Sequence, residues 1–296
     1  MLTGVFPAVF TPFDDELNID FEMLSQIIEF QLNAGVNGFF VTGSTGEGLL
    51  LSLDERLAVI KHAIAHTNGR GKIIAHVGHP STQAATALAQ KSAAAGADWI
   101  ASVAPIYHGT TFESALRHYG QIAAATDLPF MVYCLNREIV PDRDVKLFDL
   151  PNVVGLKYTN SNYFTVQQLI ERLDRPVTVL NGMDEHFVAS LSFGFHGGIG
   201  STFNFAPSYY TGIFKSYQAG DIVEASRLQK EINRVTSLML EYENWTYRKA
   251  IMRYVGFDCG PCRPPYSPIS ESEYEVFAKR LDELNVLEPA TQTESK

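Results

Sequence analysis

At 296 residues, 46% hydrophobic and 19% charged, the chain is long enough to bury a sizeable core, as one large α/β domain or two small ones. Its formal net charge of -10 argues against sequence-independent nucleic-acid binding and against docking on an anionic membrane, although a local pocket can still be positive. Three cysteines, no signal-peptide pattern in "MLTGVFPAVFTPFDDE" and no run near about 18 apolar residues point to a cytoplasmic protein without a disulfide framework.

Short apolar runs alternate with longer amphipathic segments. The runs read as strands: "GVFPAVF" (4–10), "GFFVT" (38–42), "KIIAHV" (72–77), "WIASVA" (99–104), "PFMVYC" (129–134), "VVGLK" (153–157), "VTVLN" (177–181) and "GGIGS" (197–201). Between the first two, Phe21, Leu24, Ile27, Ile28 and Leu32 recur near helical spacing. Ser52 with Glu55 three residues on forms a capping-box pattern, and Gly35 and Gly96 fall just past helix ends. The strands are apolar throughout, as in a parallel sheet covered by helices. Eight such units without a Pro-, Gly- or Ser-rich linker predict a (β/α)8 TIM barrel over residues 1–219, with an open doubly wound sheet as the alternative. Residues 220–296 predict a C-terminal helical extension packed on the barrel, ending in the polar tail "EPATQTESK".

Three motifs invite other readings. "CGPC" (Cys259–Cys262) has the thioredoxin signature, but it follows a helical segment and runs into Arg263-Pro264-Pro265, which cannot open the required helix. It reads as a tight turn. His62 and His66 stand four apart, but no third ligand has recognisable spacing, so they read as a solvated helical face. "GSTGEG" lacks the Gly-Lys-Ser/Thr of a phosphate loop and the GxGxxG of a dinucleotide fold.

In a barrel, functional residues gather at the C-terminal ends of strands. That places Ser44 and Thr45 after strand two, Tyr107 and His108 after strand four, and Tyr133 at the end of strand five. Lys157 ends strand six, Asp184 and Glu185 follow strand seven, and Ser201 ends strand eight. A neutral lysine amine there attacks a ketone to form a Schiff base, whose protonated form is an electron sink for breaking or making a C–C bond. The Tyr133 phenol lies one strand away to move a proton. Hydroxyls and N–H groups of Gly43-Ser44-Thr45-Gly46 suit a keto-acid carboxylate, and neither metal nor cofactor is required. Each residue alone has a plainer reading: a solvated or ion-paired lysine, a core tyrosine, acids opening a helix. Their joint placement at one end of one barrel favours the enzyme.

Residues 4 to about 285 resemble the pyruvate-dependent class I aldolases of the dihydrodipicolinate synthase/N-acetylneuraminate lyase superfamily. The likeness rests on "FPAVFTPF", "GVNGFFVTGSTGEGLLLSLDER", "YC" closing strand five, "GLKYT" and "GGIGSTFN". It implies that Lys157 forms an imine with pyruvate, Tyr133 relays protons, and Ser44 and Thr45 bind the carboxylate. It further implies that Tyr107 supports a neighbour's tyrosine across an interface of a homotetramer, a dimer of dimers. "GLKYTN", "NGMDE" and "GIGSTFN" lie nearest the N-acetylneuraminate lyase branch. In that branch Thr159, Gly182, Asp184, Glu185 and Ser201 would bind the hydroxylated tail of the sugar acid, cleaved reversibly to N-acetylmannosamine and pyruvate. After Tyr133 the usual Asn-aliphatic-Pro is replaced by Cys134-Leu135-Asn136-Arg137-Glu138, and the path to Lys157 is shorter. That change keeps open an aldolase or dehydratase acting on another 2-keto-3-deoxy sugar acid; a synthase-type condensation is set back by Tyr158, where the synthases usually carry an acidic residue, and a non-catalytic keto-acid-binding barrel would need neither Lys157 nor Tyr133.

Overall fold

The computed structural model describes residues 1–105, 109–150 and 152–288. Eight strands form one parallel sheet: β1 (Gly4–Pro7), β2 (Gly38–Val41), β3 (Lys72–His76), β4 (Trp99–Val103), β5 (Phe130–Leu135), β6 (Val153–Thr159), β7 (Thr178–Asn181) and β8 (Gly197–Gly200). Their order is β1-β8-β7-β6-β5-β4-β3-β2, and a parallel bridge between Ala8 and Phe40 draws the two ends together. The helices that follow them are α1 (Phe21–Asn33), α2 (Leu53–Thr67), α3 (Thr82–Ala95), α4 (Phe112–Ala123), α5 (Pro141–Asp144), α6 (Tyr163–Ile170), α7 (Phe187–Ser192) and α8 (Pro207–Gln218). Three more follow: α9 (Ile222–Leu240), α10 (Thr246–Tyr254) and α11 (Glu271–Leu284). The fold is the (β/α)8 TIM barrel expected from the alternation of runs. None of the described helices is long and apolar enough to cross a membrane.

Strand parity divides the core into two layers, because successive side chains face opposite ways. Phe6, Phe40, Ile74, Met131, Tyr133, Leu180 and Ile199 fill the barrel, while Val5, Phe39, Val41, Ile73, Val132 and Val179 pack outward with the helices. Both faces of each strand are thus apolar, which is why the runs show no polar alternation. Local signals match: Ser52 and Glu55 form the capping box of α2, and Gly35 (φ 84°) and Gly96 (φ 100°) take the left-handed conformation that ends α1 and α3. β6 continues to Thr159, so Lys157 lies inside the strand rather than at its end.

Candidate active site

Parity decides where the β6 lysine points. Leu156 and Tyr158 pack outward, leaving Gly155, Lys157 and Thr159 on the barrel face. Lys157 is only 5% exposed, and no hydrogen bond or ion pair reaches its Nζ from the described residues. Its Nζ lies 4.1 Å from the Tyr133 ring centroid and 4.4 Å from that of Phe40. Tyr133 is its cross-strand partner on β5. His76 completes a triangle of rings, with centroids 5.5 Å from Phe40 and 6.1 Å from Tyr133. Its Nδ1 stands 3.1 Å from the Thr42 carbonyl, which can only accept, so Nδ1 carries the proton and Nε2 accepts from the Val103 N–H at 3.3 Å. Burial, and then the Arg56 guanidinium, push this imidazole down to about 3, so it stays neutral. Arg56 itself is buried and donates to the His76 and Gly78 carbonyls.

The turn after β2 is tightly wound. Thr42 (φ 58°) and Glu47 (φ 54°) are left-handed, and a Cβ on Gly48 would fall 2.0 Å from the Thr42 carbonyl oxygen. Ser44 is exposed at its crest and Thr45 is buried. Glu47 is buried beneath it, 2.9 Å from Lys249 on α10, and accepts the Arg263 N–H at 2.8 Å. The Glu47–Lys249 contact is ionic rather than a well-aligned hydrogen bond. Cys259–Cys262 is irregular backbone rather than the tight turn expected, the turn falling at 264–266, and the segment serves as a brace: Phe13 N–H donates to Cys259 O, and Lys249 donates to Pro261 O. Burial pushes the Cys259 thiol up to about 12 and the Cys262 thiol up to about 11, opposite to what a redox thiolate needs.

Across the mouth, Asp184 opens a short 3-10 turn after β7. Its carboxylate accepts from the Thr202 N–H and Oγ1, both at 2.8 Å, and from Ser201 Oγ at 3.3 Å. Burial lifts this carboxyl to about 6 against the opposing pull of the Thr202 bonds. Close approach is built from glycines. A Cβ on Gly200 would meet Asp184 Oδ1 at 2.5 Å, and one on Gly182 would meet Thr159 Oγ1 at 2.0 Å and Lys157 Cε at 3.3 Å. The buried Thr159 hydroxyl has no hydrogen-bond partner among the described residues. Glu185 and Ser201 are half-buried.

The barrel thus gathers Lys157, Tyr133, Thr159, Gly182, Asp184 and Ser201 from β5 to β8, with Ser44 and Thr45 on the β2 turn and Glu185 beside Asp184. Tyr107 and His108 lie outside the described residues. His62 and His66 differ from expectation: they are half-buried in the α1–α2 seam, where His62 meets Ser25 Oγ at 2.8 Å and His66 lies 3.5 Å from Glu29. Among the described residues no group of three or more His, Cys, Asp or Glu is arranged to hold a metal ion. Arg137, in the altered segment after β5, donates to the fully buried Asp144 at 2.8 Å. Sequence reasoning passed over His76, although "KIIAHV" sets it on the same inward parity as Ile74. It also missed Thr202, whose partner Asp184 lies 18 residues away.

A model of the dihydrodipicolinate synthetase family matches residues 1–284, and the chain belongs to that family. It is a pyruvate-dependent carbon–carbon lyase. Among relatives, an N-acetylneuraminate lyase from Citrobacter koseri is 35% identical over 289 residues, 95% of this chain and 97% of that protein. The crystal structure of N-acetylneuraminate lyase from Mycoplasma synoviae superposes with a TM-score of 0.88 at 28% identity, covering 96% of this chain and 98% of that one. YagE from E. coli K12, a prophage protein of the dihydrodipicolinic acid synthase family solved with pyruvate, gives 0.90 at 26% identity, covering 97% and 99%.

Proposed function

We propose that the chain cleaves N-acetylneuraminate reversibly to N-acetylmannosamine and pyruvate through an imine on Lys157. The observation that carries this reading is a buried amine, in register with Tyr133, that forms no ion pair with any described carboxylate. The neutral amine adds to the C2 ketone of the open-chain sugar acid, and water leaves to give an iminium. Tyr133 relays the proton away from the C4 hydroxyl. The C3–C4 bond then breaks, the aldehyde departs, and the electron pair runs to the iminium nitrogen, leaving an enamine. Protonation at C3 and addition of water release pyruvate and regenerate the amine.

Ser44, Thr45 and the N–H groups of Gly43–Gly46 hold the keto-acid carboxylate. Thr159, Gly182, Asp184, Glu185 and Ser201 receive the polyol tail, and the partnerless Thr159 hydroxyl supports that role, since a site built for hydroxyls leaves its own polar groups waiting for them. The Citrobacter koseri relative supports the choice of substrate. The assembly we propose is a homotetramer, a dimer of dimers, in which Tyr107 supports the neighbouring subunit's Tyr133.

The segment after β5 favours a second reading. Asp144 draws in Arg137, Arg143 and the Val140 N–H, so the chain beside Tyr133 is drawn onto a one-turn α5. A differently shaped wall there suits aldol cleavage or dehydration of another 2-keto-3-deoxy sugar acid. Tyr158, where the synthases carry an acidic residue, speaks against a synthase-type condensation. Borohydride reduction with pyruvate, followed by peptide mass spectrometry, tests the imine: the adduct is expected on Lys157 and absent from Lys157→Ala. An unmodified Lys157 refutes the mechanism. A panel of sugar acids scored by pyruvate release separates the two substrates.

A further inference from the structure

The barrel layer around the Lys157 amine is built of Phe40, Ile74, Met131, Tyr133 and Leu180. His76 shares that layer at 2% exposure, yet the imine chemistry gives it no task. A phenyl ring would fill the same space without two nitrogens to satisfy. What the imidazole adds lies in its partners, which stand at the two neighbouring strand ends.

Toward β2, Nδ1–H donates to the Thr42 carbonyl, and Thr42 Oγ1 returns a bond to the His76 carbonyl at 3.0 Å. This reciprocal pair grips a residue under strain, because Thr42 is β-branched and left-handed at φ 58°. Such a conformation persists only where its surroundings over-determine it, and it recurs at ligand clamps. Thr42 launches the turn that runs through Gly43, Ser44, Thr45 and Gly46, which the Gly48 N–H closes on the Gly43 carbonyl at 3.0 Å. Toward β4, Nε2 accepts from the Val103 N–H. Gly78 leaves that approach open, since a Cβ there would meet Nε2 at 2.8 Å and the Val103 nitrogen at 3.0 Å. Arg56, 1% exposed, donates to the same His76 carbonyl and to that of Gly78, so the end of β3 that carries the ring is itself pinned.

We propose that His76 is a positioning residue for the keto-acid half of the site: its Nδ1–H holds Thr42 in the left-handed conformation from which the 43–46 turn presents its donors to the carboxylate. The inference rests on the imine reading and adds to it the group that aims the carboxylate turn. His76 acts through Thr42 rather than on the substrate.

The two ring nitrogens can be replaced one at a time. Asparagine puts an amide N–H where Nδ1 stands, and glutamine puts a carbonyl oxygen where Nε2 stands. Each enzyme is trapped with cyanoborohydride over a range of concentrations of pyruvate or of methyl pyruvate, the same ketone without the charge, and the adduct on Lys157 is measured by mass spectrometry. In the wild type the half-saturating concentration of pyruvate is expected to lie about tenfold or more below that of the ester, as the loss of charge-assisted hydrogen bonds implies. His76→Gln is expected to bring that ratio to within about threefold of unity by raising the pyruvate value alone, and His76→Asn to keep it within about threefold of the wild type. General loosening of the barrel would weaken both ketones together in both variants. An undiminished ratio in His76→Gln, an equal loss in His76→Asn, a parallel loss for both ketones, or a wild-type ratio near one overturns the proposal. A wild type without any adduct refutes the imine and this role with it, whereas trapping that the variants leave untouched refutes the positioning alone. Should a variant fail to fold, the wild type supplies a second test by NMR of 15N-labelled histidine. His76 is expected as the neutral Nδ1–H tautomer, with a signal that moves when pyruvate is added; the Nε2–H tautomer, or a signal indifferent to pyruvate, overturns the proposal.

Discussion

Adding one methyl group at Gly182 should damage catalysis far more than folding. An alanine Cβ would lie 2.0 Å from Thr159 Oγ1, roughly 1.4 Å inside the 3.4 Å at which ordinary contact begins, and 3.3 Å from Lys157 Cε. Thr159 must swing its hydroxyl away, and the lysine stem must shift by a few tenths of an ångström. Overpacking of this kind costs about 1–3 kcal/mol of stability. Misplacement of a reacting group by about 1 Å costs on the order of 100-fold in rate. Because the lysine shift is a fraction of that 1 Å, Gly182→Ala is expected to lose on the order of 10-fold in kcat/KM, read by coupling pyruvate release to lactate dehydrogenase, while still unfolding cooperatively by circular dichroism. Adding Thr159→Ala removes the main clash and should return most of the lost stability without returning the activity, since the hydroxyl is gone as well. A Gly182→Ala enzyme within threefold of wild type would refute the claim that Gly182 exists to let Thr159 and Lys157 come close.

Two further outcomes follow from the buried charges. Glu47→Gln strands Lys249 in a dry site, and breaking such a pair costs about 3–5 kcal/mol, whereas Glu47→Gln combined with Lys249→Met should recover at least half of that; urea titration measures both, and a single-variant loss below about 1 kcal/mol counts against the brace. The Asp184 carboxyl titrates near 6 in the fold against 3.8 as its ordinary value, so between those values the folded state holds more proton than the unfolded one and stability declines as pH rises. Asp184→Asn should gain on the wild type by up to about 3 kcal/mol from pH 4 to pH 6 and hold a constant difference above that; a difference that is flat throughout removes the burial argument.

The barrel was legible because its signals are local. Apolar runs, the Ser52–Glu55 box and the glycines at 35 and 96 need no knowledge of distant partners. The residues gathered at the mouth were legible for a related reason: strand ends fix position once the barrel is assumed. What escaped was non-local or hidden by parity. Lys157 read as a strand terminus because polar residues follow it, yet β6 pairing runs on to Thr159 and sinks the amine among rings. His76 sat in plain view at the end of an apolar run, but its role depends on Thr42 and Val103, 34 and 27 residues away. The Cys259–Cys262 segment advertised redox chemistry in four letters, and only its burial and its bonds to Phe13 and Lys249 identify it as a brace.

The brace also orders events in biosynthesis. The Arg263 amide that caps Glu47 emerges 216 residues after it, roughly 10–40 s later at ordinary elongation rates. Until then a nascent barrel can close its hydrogen-bonded staves but must keep that carboxylate hydrated. The crest that carries Ser44 and Thr45 is therefore translated early and braced late, only once α10 and the segment up to Arg263 have followed it.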